Sequence, residues 1–249
     1  MRYLALAAFL PILASTLHAQ GPKRKIEGEV AGSYFFGNTR QTVSSTRAQF
    51  ERSDSGFTFR TMARFNYGEL TQDVIGTTVN KRSWEAGANY DFHPYADFTP
   101  FVKAMIESSL ENRIQRRVSA GVGSRYNIIR TTATDLIFSL GAAGEQTEPL
   151  VPAGAPALET KTLARGSSEI RLRREFSPTV GFTMETRYQP ALTGPSDYTI
   201  TSVNTLKMRL ARFAALTLTF RDNYDNQAVA RGARVNNDGE VLVGLLTTF

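Results

Sequence analysis

Residues 214–221, AALTLTFR, and residues 240–249, EVLVGLLTTF, carry apolar side chains at alternating positions. In the first segment Leu216, Leu218 and Phe220 fall on one side and Thr217 and Arg221 on the other. Side chains point to opposite faces of a β-strand in turn, so this alternation predicts two strands. The polar residues from Gln227 to Asp238, with Gly232 among them, predict a loop, and the two strands therefore form a predicted hairpin.

The same alternation recurs toward the amino terminus in segments of about 10 residues separated by turns, which is the pattern of a transmembrane β-barrel. The clearest example is residues 57–67, FTFRTMARFNY. We count 12 such strands and predict an all-β fold, a 12-stranded antiparallel up-and-down transmembrane β-barrel. The third, seventh, ninth and eleventh connections are predicted to be the longer ones, all at the end opposite the two termini. A secreted β-sandwich is the alternative, but its strands are usually only about 5–6 residues long.

The amino terminus carries the features of a secretory signal peptide. Arg2 is followed by an apolar run to Leu17 and by the small residue Ala19, and the run is too short to span a bilayer as a helix. We predict a signal peptide at residues 1–19 and a single barrel domain at residues 20–249. Of the 29 Lys and Arg residues Arg2 lies in the signal, leaving 28 basic against 23 acidic residues, a net charge of +5. The chain has no Cys, so it has no disulfide framework.

Charged side chains occupy the polar face of almost every predicted strand. An Arg or Lys facing lipid near the bilayer midplane would cost about 2–4 kcal/mol, so these side chains must face the lumen. The basic members are Arg47, Arg60, Arg64, Lys103, Arg117, Arg125, Arg165, Arg171, Arg173, Arg187, Lys207, Arg209 and Arg221. The acidic members are Glu27, Glu29, Glu51, Glu85, Asp91, Glu107, Glu145, Glu169 and Glu185. They predict either an anion-favouring pore or a lumen filled and braced by Arg–Glu pairs.

Residues for catalysis or metal binding are scarce. A serine hydrolase needs a base such as histidine. The only His after the signal is His93, beside Pro94 in a turn predicted at the same end of the barrel as the two termini. One His and no Cys make a zinc site improbable, and no Gly-rich phosphate loop precedes a helix. We therefore expect no enzyme activity, no metal and no cofactor.

Three segments resemble a known family. They are Gly37-Asn38-Thr39, the block from Tyr90-Asp91-Phe92 to the Gly121-Val122-Gly123 strand, and the ending from Asp238 to Phe249. In these segments the chain is similar to the salt-induced outer-membrane proteins, a family built on a domain of unknown function. The resemblance implies an outer-membrane barrel and implies no activity, because the family has none assigned.

These observations predict a protein of the bacterial outer membrane. We expect a monomeric, narrow, passive channel that favours small anionic solutes, with a non-conducting structural or surface-interaction barrel as the alternative. Its expected partners are outer-membrane lipid and the barrel-assembly machinery, which would recognise the terminal strand ending in Phe249. We expect no nucleic-acid partner, because the basic residues are interleaved at strand spacing rather than clustered.

Overall fold

A computed structural model describes residues 23–35, 39–72, 76–151, 154, 156, 158–194 and 197–249. The predicted signal peptide at residues 1–19 lies outside these residues, as do Gly37 and Asn38 of the first predicted turn. No helix in this part of the chain is long and apolar enough to cross a membrane.

Twelve antiparallel strands account for most of the described chain, and they close into one barrel in sequence order, with β1 beside β12. The strands are β1 (Lys23–Phe35), β2 (Thr39–Ser53), β3 (Phe57–Gln72), β4 (Gly76–Phe92), β5 (Phe98–Ser109), β6 (Ile114–Arg130), β7 (Thr134–Pro149), β8 (Lys161–Glu175), β9 (Val180–Pro190), β10 (Tyr198–Arg209), β11 (Ala214–Asp225) and β12 (Asn237–Thr248). One 3-10 turn, Val229–Arg231, lies between β11 and β12. The predicted 12-stranded barrel is confirmed.

The terminal hairpin closes the barrel. β12 pairs with β11 on one side and with β1 on the other, where Gly28 lies opposite Thr247. The Ile26 N–H donates to the Phe249 carbonyl at 3.0 Å, and the Phe249 N–H donates to the Ile26 carbonyl at 2.9 Å. Both edges of the sheet are thereby paired, which removes the exposed strand edges that invite aggregation.

The connections differ between the two ends of the barrel. At the terminal end, where β1 starts and β12 ends, the strands are joined by turns at 54–56, 93–97, 131–133, 176–179 and 210–213. At the opposite end, which we call the loop end, the longer connections are 150–160, 191–197 and 226–236. The prediction of a long third connection is wrong, because β3 and β4 continue as a paired ribbon to Gln72 and Gly76.

Apolar side chains cover the outside of the barrel. Val122, at the middle of β6, is 61% exposed, and Leu140, Ile170 and Leu218 on other strands are also exposed. Aromatic side chains gather near both ends: Tyr90 stacks on Phe57 and meets Phe92 edge-on at the terminal end, and Tyr198 contacts Tyr188 and Tyr224 at the loop end. An apolar band between two aromatic girdles is the exterior of a membrane barrel.

The interior is polar and tightly filled in places. Gly123 faces inward, and a Cβ at this position would lie 2.6 Å from Cζ of Phe101 and would clash with the carbonyl of Leu140. Glycine here lets the Phe101 ring lie against the wall of β6. The Arg125 guanidinium then lies over this ring, 4.7 Å from its centroid. Phe101 is therefore an apolar support for a charged lumen.

Candidate functional site: the charged interior of the barrel

The strand register places the predicted charged residues side by side. One belt runs through Glu29, Arg47, Arg64, Glu85, Glu107 and Arg117, each directly opposite the next across β1 to β6. Because the strands alternate faces regularly, every member of this belt lies on the interior side. The belt is therefore built by strand pairing alone, without help from loops.

Ion pairs engage nearly all the predicted lumenal arginines. Glu29 pairs with Arg47 at 3.2 Å, Glu51 with Arg60 at 2.9 Å, and Glu85 with Arg64. On β8 and β9, Glu169 pairs with Arg171 at 3.1 Å and with Arg187 at 2.7 Å, and Glu185 pairs with the same two arginines at 3.3 and 2.9 Å. The remaining pairs are Arg125 with Asp91, Arg165 with Glu145 and Asp197, Arg173 with Glu175, and Arg221 with Glu240. Each of these arginines is thus neutralised by one or more carboxylates of the barrel.

Arg117 forms ion pairs with several strands, including one on the far side of the barrel. Its guanidinium, on β6, pairs with Glu107 at 2.9 Å, with Glu145 at 3.6 Å and with Asp225 of β11 at 3.0 Å. β6 and β11 are not neighbours in the barrel, so the Arg117–Asp225 pair crosses the lumen. All four side chains are at least four-fifths buried. We call this group the Arg117 brace.

The brace also holds the loop between β11 and β12. Arg231, in the 3-10 turn, pairs with Asp225 at 2.5 Å, and its Nε donates to the Asn112 carbonyl in the β5–β6 turn at 3.2 Å. From the same β5–β6 turn, the Nε of Arg113 donates to the carbonyl of Gly232 in the β11–β12 loop at 3.3 Å. The loop is thereby fastened to the opposite wall, which narrows the loop end of the barrel.

A second group lies at the same end around Lys81 of β4. Its ammonium pairs with Asp238 at 2.7 Å and with Glu240 at 3.0 Å, both on β12, and approaches Glu111 at 4.0 Å. β4 and β12 are not adjacent, so these pairs also bridge separate walls. Beside them is a polar cavity of about 490 Å³. The loop end is therefore rich in carboxylates.

The two predicted lumenal lysines differ from the arginines. Within the described residues neither Lys103 nor Lys207 forms an ion pair. The Lys103 ammonium has only the Ser167 hydroxyl, at 3.5 Å, and the Phe101 ring, at 5.8 Å. Its charged surroundings are Arg125, Arg187, Glu169 and Glu185. Arg171 pairs with Glu169 and Glu185, and Asp91 pairs with Arg125. Together with Lys103 these residues comprise four cations and three carboxylates. We call these seven residues the central cluster.

The predicted lumenal residue Arg209 lies away from the interior groups, and so does His93, which the sequence analysis set aside as a catalytic base. Arg209 is exposed at the terminal mouth, where its Nη1 donates to the Pro178 carbonyl at 3.1 Å. His93 lies in the turn between β4 and β5 with a φ of 51°. Among the described residues no group of three or more His, Cys, Asp or Glu side chains is arranged to hold a metal ion.

The sequence interpretation missed several interior charges. Lys81, Asp225 and Glu240 all continue the inward alternation of strands that were predicted correctly: Lys81 precedes Ser83 and Glu85 by two and four positions, and Asp225 follows Arg221 by four. Extending each strand by the same period would have found them. Asp197 lies outside the strands, next to β10, and carried no such signal.

Residues 28–249 match the protein family of unknown function DUF481. The chain belongs to DUF481. The match covers all strands from early β1 onward, so the family is defined by the barrel itself and not by an appended domain. No curated protein matches this DUF481 chain.

Solved structures similar to this DUF481 barrel include an outer-membrane channel, a porin and the translocator domain of an autotransporter. An outer-membrane channel from Pseudomonas putida F1 has a TM-score of 0.53 and 8% identity, with 93% of this chain and 96% of that chain covered. The NanC porin has a TM-score of 0.49 and 10% identity, with 90% and 98% covered. The translocator domain of the autotransporter NalP from Neisseria meningitidis also has a TM-score of 0.49 and 10% identity, with 93% and 90% covered. The likeness to the Pseudomonas channel, at this low identity, concerns the fold.

Proposed function

We propose that this protein is a β-barrel of the bacterial outer membrane and works as a narrow passive channel for small anionic solutes. The apolar exterior between two aromatic girdles supports the membrane location, since only a lipid surround makes such an exterior favourable. The fold is shared with an outer-membrane channel. The 12 strands lie between the about 8 of a filled barrel and the about 16–18 of an open porin, which suits a narrow pore.

Lys103 carries the proposed preference for anions. Paired arginines present little net charge to a passing ion, because each faces a carboxylate at hydrogen-bond distance. Lys103 has no such carboxylate among the described residues, and the central cluster around it has one cation more than it has carboxylates. A small anion that reaches this point would complete the coordination of the ammonium. Rings and clusters of Lys and Arg select anions in this way.

A second candidate function is a non-conducting barrel that supports the envelope or presents its loops. The Arg117 brace is the observation that favours it, because the Arg117–Asp225 pair crosses the lumen and Arg231 fastens a loop to the far wall. In that case the ion pairs would serve only to fill and hold the barrel. The two candidates differ in whether ions pass.

We propose no catalytic role for this barrel. The imidazole of His93 lies in a turn at the terminal end, away from the charged interior. We further propose that the barrel-assembly machinery inserts the protein by way of β12 and the exposed Phe249. A monomer is proposed because pairing of β1 with β12 closes the sheet within one chain.

The selectivity is tested with refolded protein in planar bilayers under a salt gradient. The wild type should show a reversal potential of the sign expected for anions, with a chloride-to-potassium permeability ratio above 1. Lys103→Glu should lower that ratio below 1. Arg82→Glu is the matched control, because it makes the same charge change on an exposed side chain of β4 that faces outward beside Tyr67. An unchanged ratio in Lys103→Glu, or an equal change in Arg82→Glu, would refute the proposal.

A further inference from the structure

Exposed arginines surround the terminal end of the barrel. Apart from Arg209 at the mouth, the described ones are Arg24 on β1, Arg52 on β2, Arg130 on β6, Arg174 on β8 and Arg212 in the β10–β11 turn, and we call these five the terminal rim. Arg24, Arg52 and Arg174 belong to the outward face, since their register partners Phe59 and Phe182 continue the apolar exterior. These three arginines therefore lie on the outside of the barrel and apart from the lumen.

The rim arginines differ from the interior arginines in their partners. No described carboxylate forms an ion pair with any of the five. Arg130 donates to the backbone carbonyls of Tyr95 at 2.8 Å and Pro94 at 3.1 Å, and Arg174 donates to the Thr134 hydroxyl. The same chain neutralises almost every lumenal arginine with its own carboxylates. An anion that neutralises the rim arginines would have to come from outside the described residues.

The lack of a neutralising carboxylate matters most for Arg24 and Arg52. They lie directly opposite each other on β1 and β2, and both are exposed. Like charges placed opposite each other on neighbouring strands are destabilising. An anion between the two guanidinium groups reverses the sign of this interaction. A phosphate oxygen set suits it best, because arginine binds phosphate through paired parallel hydrogen bonds.

Aromatic side chains set the depth of the rim. Phe176 is two residues from Arg174, Phe213 follows Arg212, and the Arg52 guanidinium lies 5.5 Å from the Phe57 ring centroid. Phe176 and Phe213 are among the most exposed apolar residues of the barrel. Exposed aromatic rings take the headgroup level of a bilayer. The arginines interleaved with them are therefore at the level of lipid phosphates.

We propose that the terminal rim binds the phosphodiester headgroups of anionic phospholipids, with one headgroup held between Arg24 and Arg52. This rests on the proposed function only in placing the barrel in a membrane. The headgroups belong to the leaflet at the terminal end of the barrel. Attraction of exposed basic residues to an anionic leaflet is short-ranged and is screened by salt.

The test uses spin-labelled lipids and the refolded, full-length barrel in vesicles. The fraction of label that is motionally restricted is measured for phosphatidylglycerol and for phosphatidylcholine. The wild type should restrict phosphatidylglycerol about twofold more strongly than phosphatidylcholine at low salt. Arg24→Gln with Arg52→Gln should reduce this preference, and 1 M NaCl should reduce it in the wild type.

The control carries Arg116→Gln and Arg234→Gln, two exposed arginines toward the loop end of which Arg116 is already paired with Glu148, and should keep the preference of the wild type. Equal restriction of the two lipids by the wild type, or an equal loss in the control, would overturn the inference. The motionally restricted fraction summed over the two lipid labels measures only whether the barrel has inserted into the vesicle membrane. A barrel that restricts neither lipid contradicts the membrane location, whereas one that restricts both equally contradicts only the rim.

Discussion

Replacing Asp225 with Asn tests whether the Arg117 brace stabilises the barrel. The side chain of Asp225 is 7% exposed and accepts from Arg117 at 3.0 Å and from Arg231 at 2.5 Å. Asn is nearly the same size, so packing is preserved, and its side-chain oxygen can still accept from the Gln227 N–H, which now reaches Asp225 Oδ1 at 2.9 Å. The substitution removes the charge and puts an amide NH2, which cannot accept, in place of Oδ2, the oxygen that accepts from both arginines.

The expected loss of stability follows from the contacts that remain. Arg117 keeps Glu107 at 2.9 Å and Glu145 at 3.6 Å, so its charge stays compensated. Two charge-assisted hydrogen bonds, from Arg117 and from Arg231 to Oδ2, are lost, each worth about 1.5–3 kcal/mol. Taking the lower figure for each, because Arg117 keeps two carboxylates and Arg231 keeps its hydrogen bond to the Asn112 carbonyl, the free energy of unfolding should fall by about 3 kcal/mol.

The assay is urea unfolding of the refolded protein in lipid vesicles, followed by the fluorescence of Trp84, the only tryptophan. Glu148→Gln is the matched control. It removes the partner of Arg116 at 3.2 Å, but the two side chains are 56% and 36% exposed. Exposed pairs contribute about 0–1 kcal/mol. A loss below 1 kcal/mol for Asp225→Asn, or equal losses for both variants, would refute the brace as a stabilising element.

Two further predictions concern the wall of the barrel. Gly123→Ala should destabilise folding by about 1–3 kcal/mol, because its Cβ meets Phe101 at 2.6 Å, and the heat-modifiable gel shift of the folded barrel should disappear at lower urea. Gly144→Ala, where a Cβ meets nothing within 4 Å, should change little, and equal effects would contradict the packing argument. Val122→Arg, at the middle of β6, should cost about 2–4 kcal/mol in vesicles, against about 0–1 kcal/mol for Phe98→Arg at the strand end. The reverse order would contradict the placement of the apolar band.

The alternation of side chains was sufficient to predict the strands and their closure. In a transmembrane barrel lipid contacts one face of each strand, and Phe57, Phe59 and Phe65 of β3 accordingly repeat an apolar residue where a soluble sheet would tolerate polar ones. The alternation of apolar and polar residues is less regular toward the loop end. After Tyr67 the sequence reads GELTQ, which does not repeat an apolar residue at every second position, so it predicts a long third connection although β3 and β4 remain paired there.

The pairing within the lumen could not be predicted from sequence. Neighbours on adjacent strands follow from register, but Arg117 and Asp225 are 108 positions apart and meet across the barrel. Such contacts depend on strand tilt and stagger, which the alternation does not encode. For the same reason the sequence listed Lys103 among 13 equivalent basic residues. Only the structure separates this lysine from the neutralised arginines.

The most direct test of the channel is the current carried by the wild-type barrel. Protein shown to be folded by its heat-modifiable gel mobility is added to a planar bilayer, and single-channel current is recorded with symmetric salt. Our account predicts steady, discrete conductance steps, since the charged interior would then be a hydrated path past Lys103. Folded protein that inserts and remains silent would contradict the channel, and the Arg117 brace would then close the barrel.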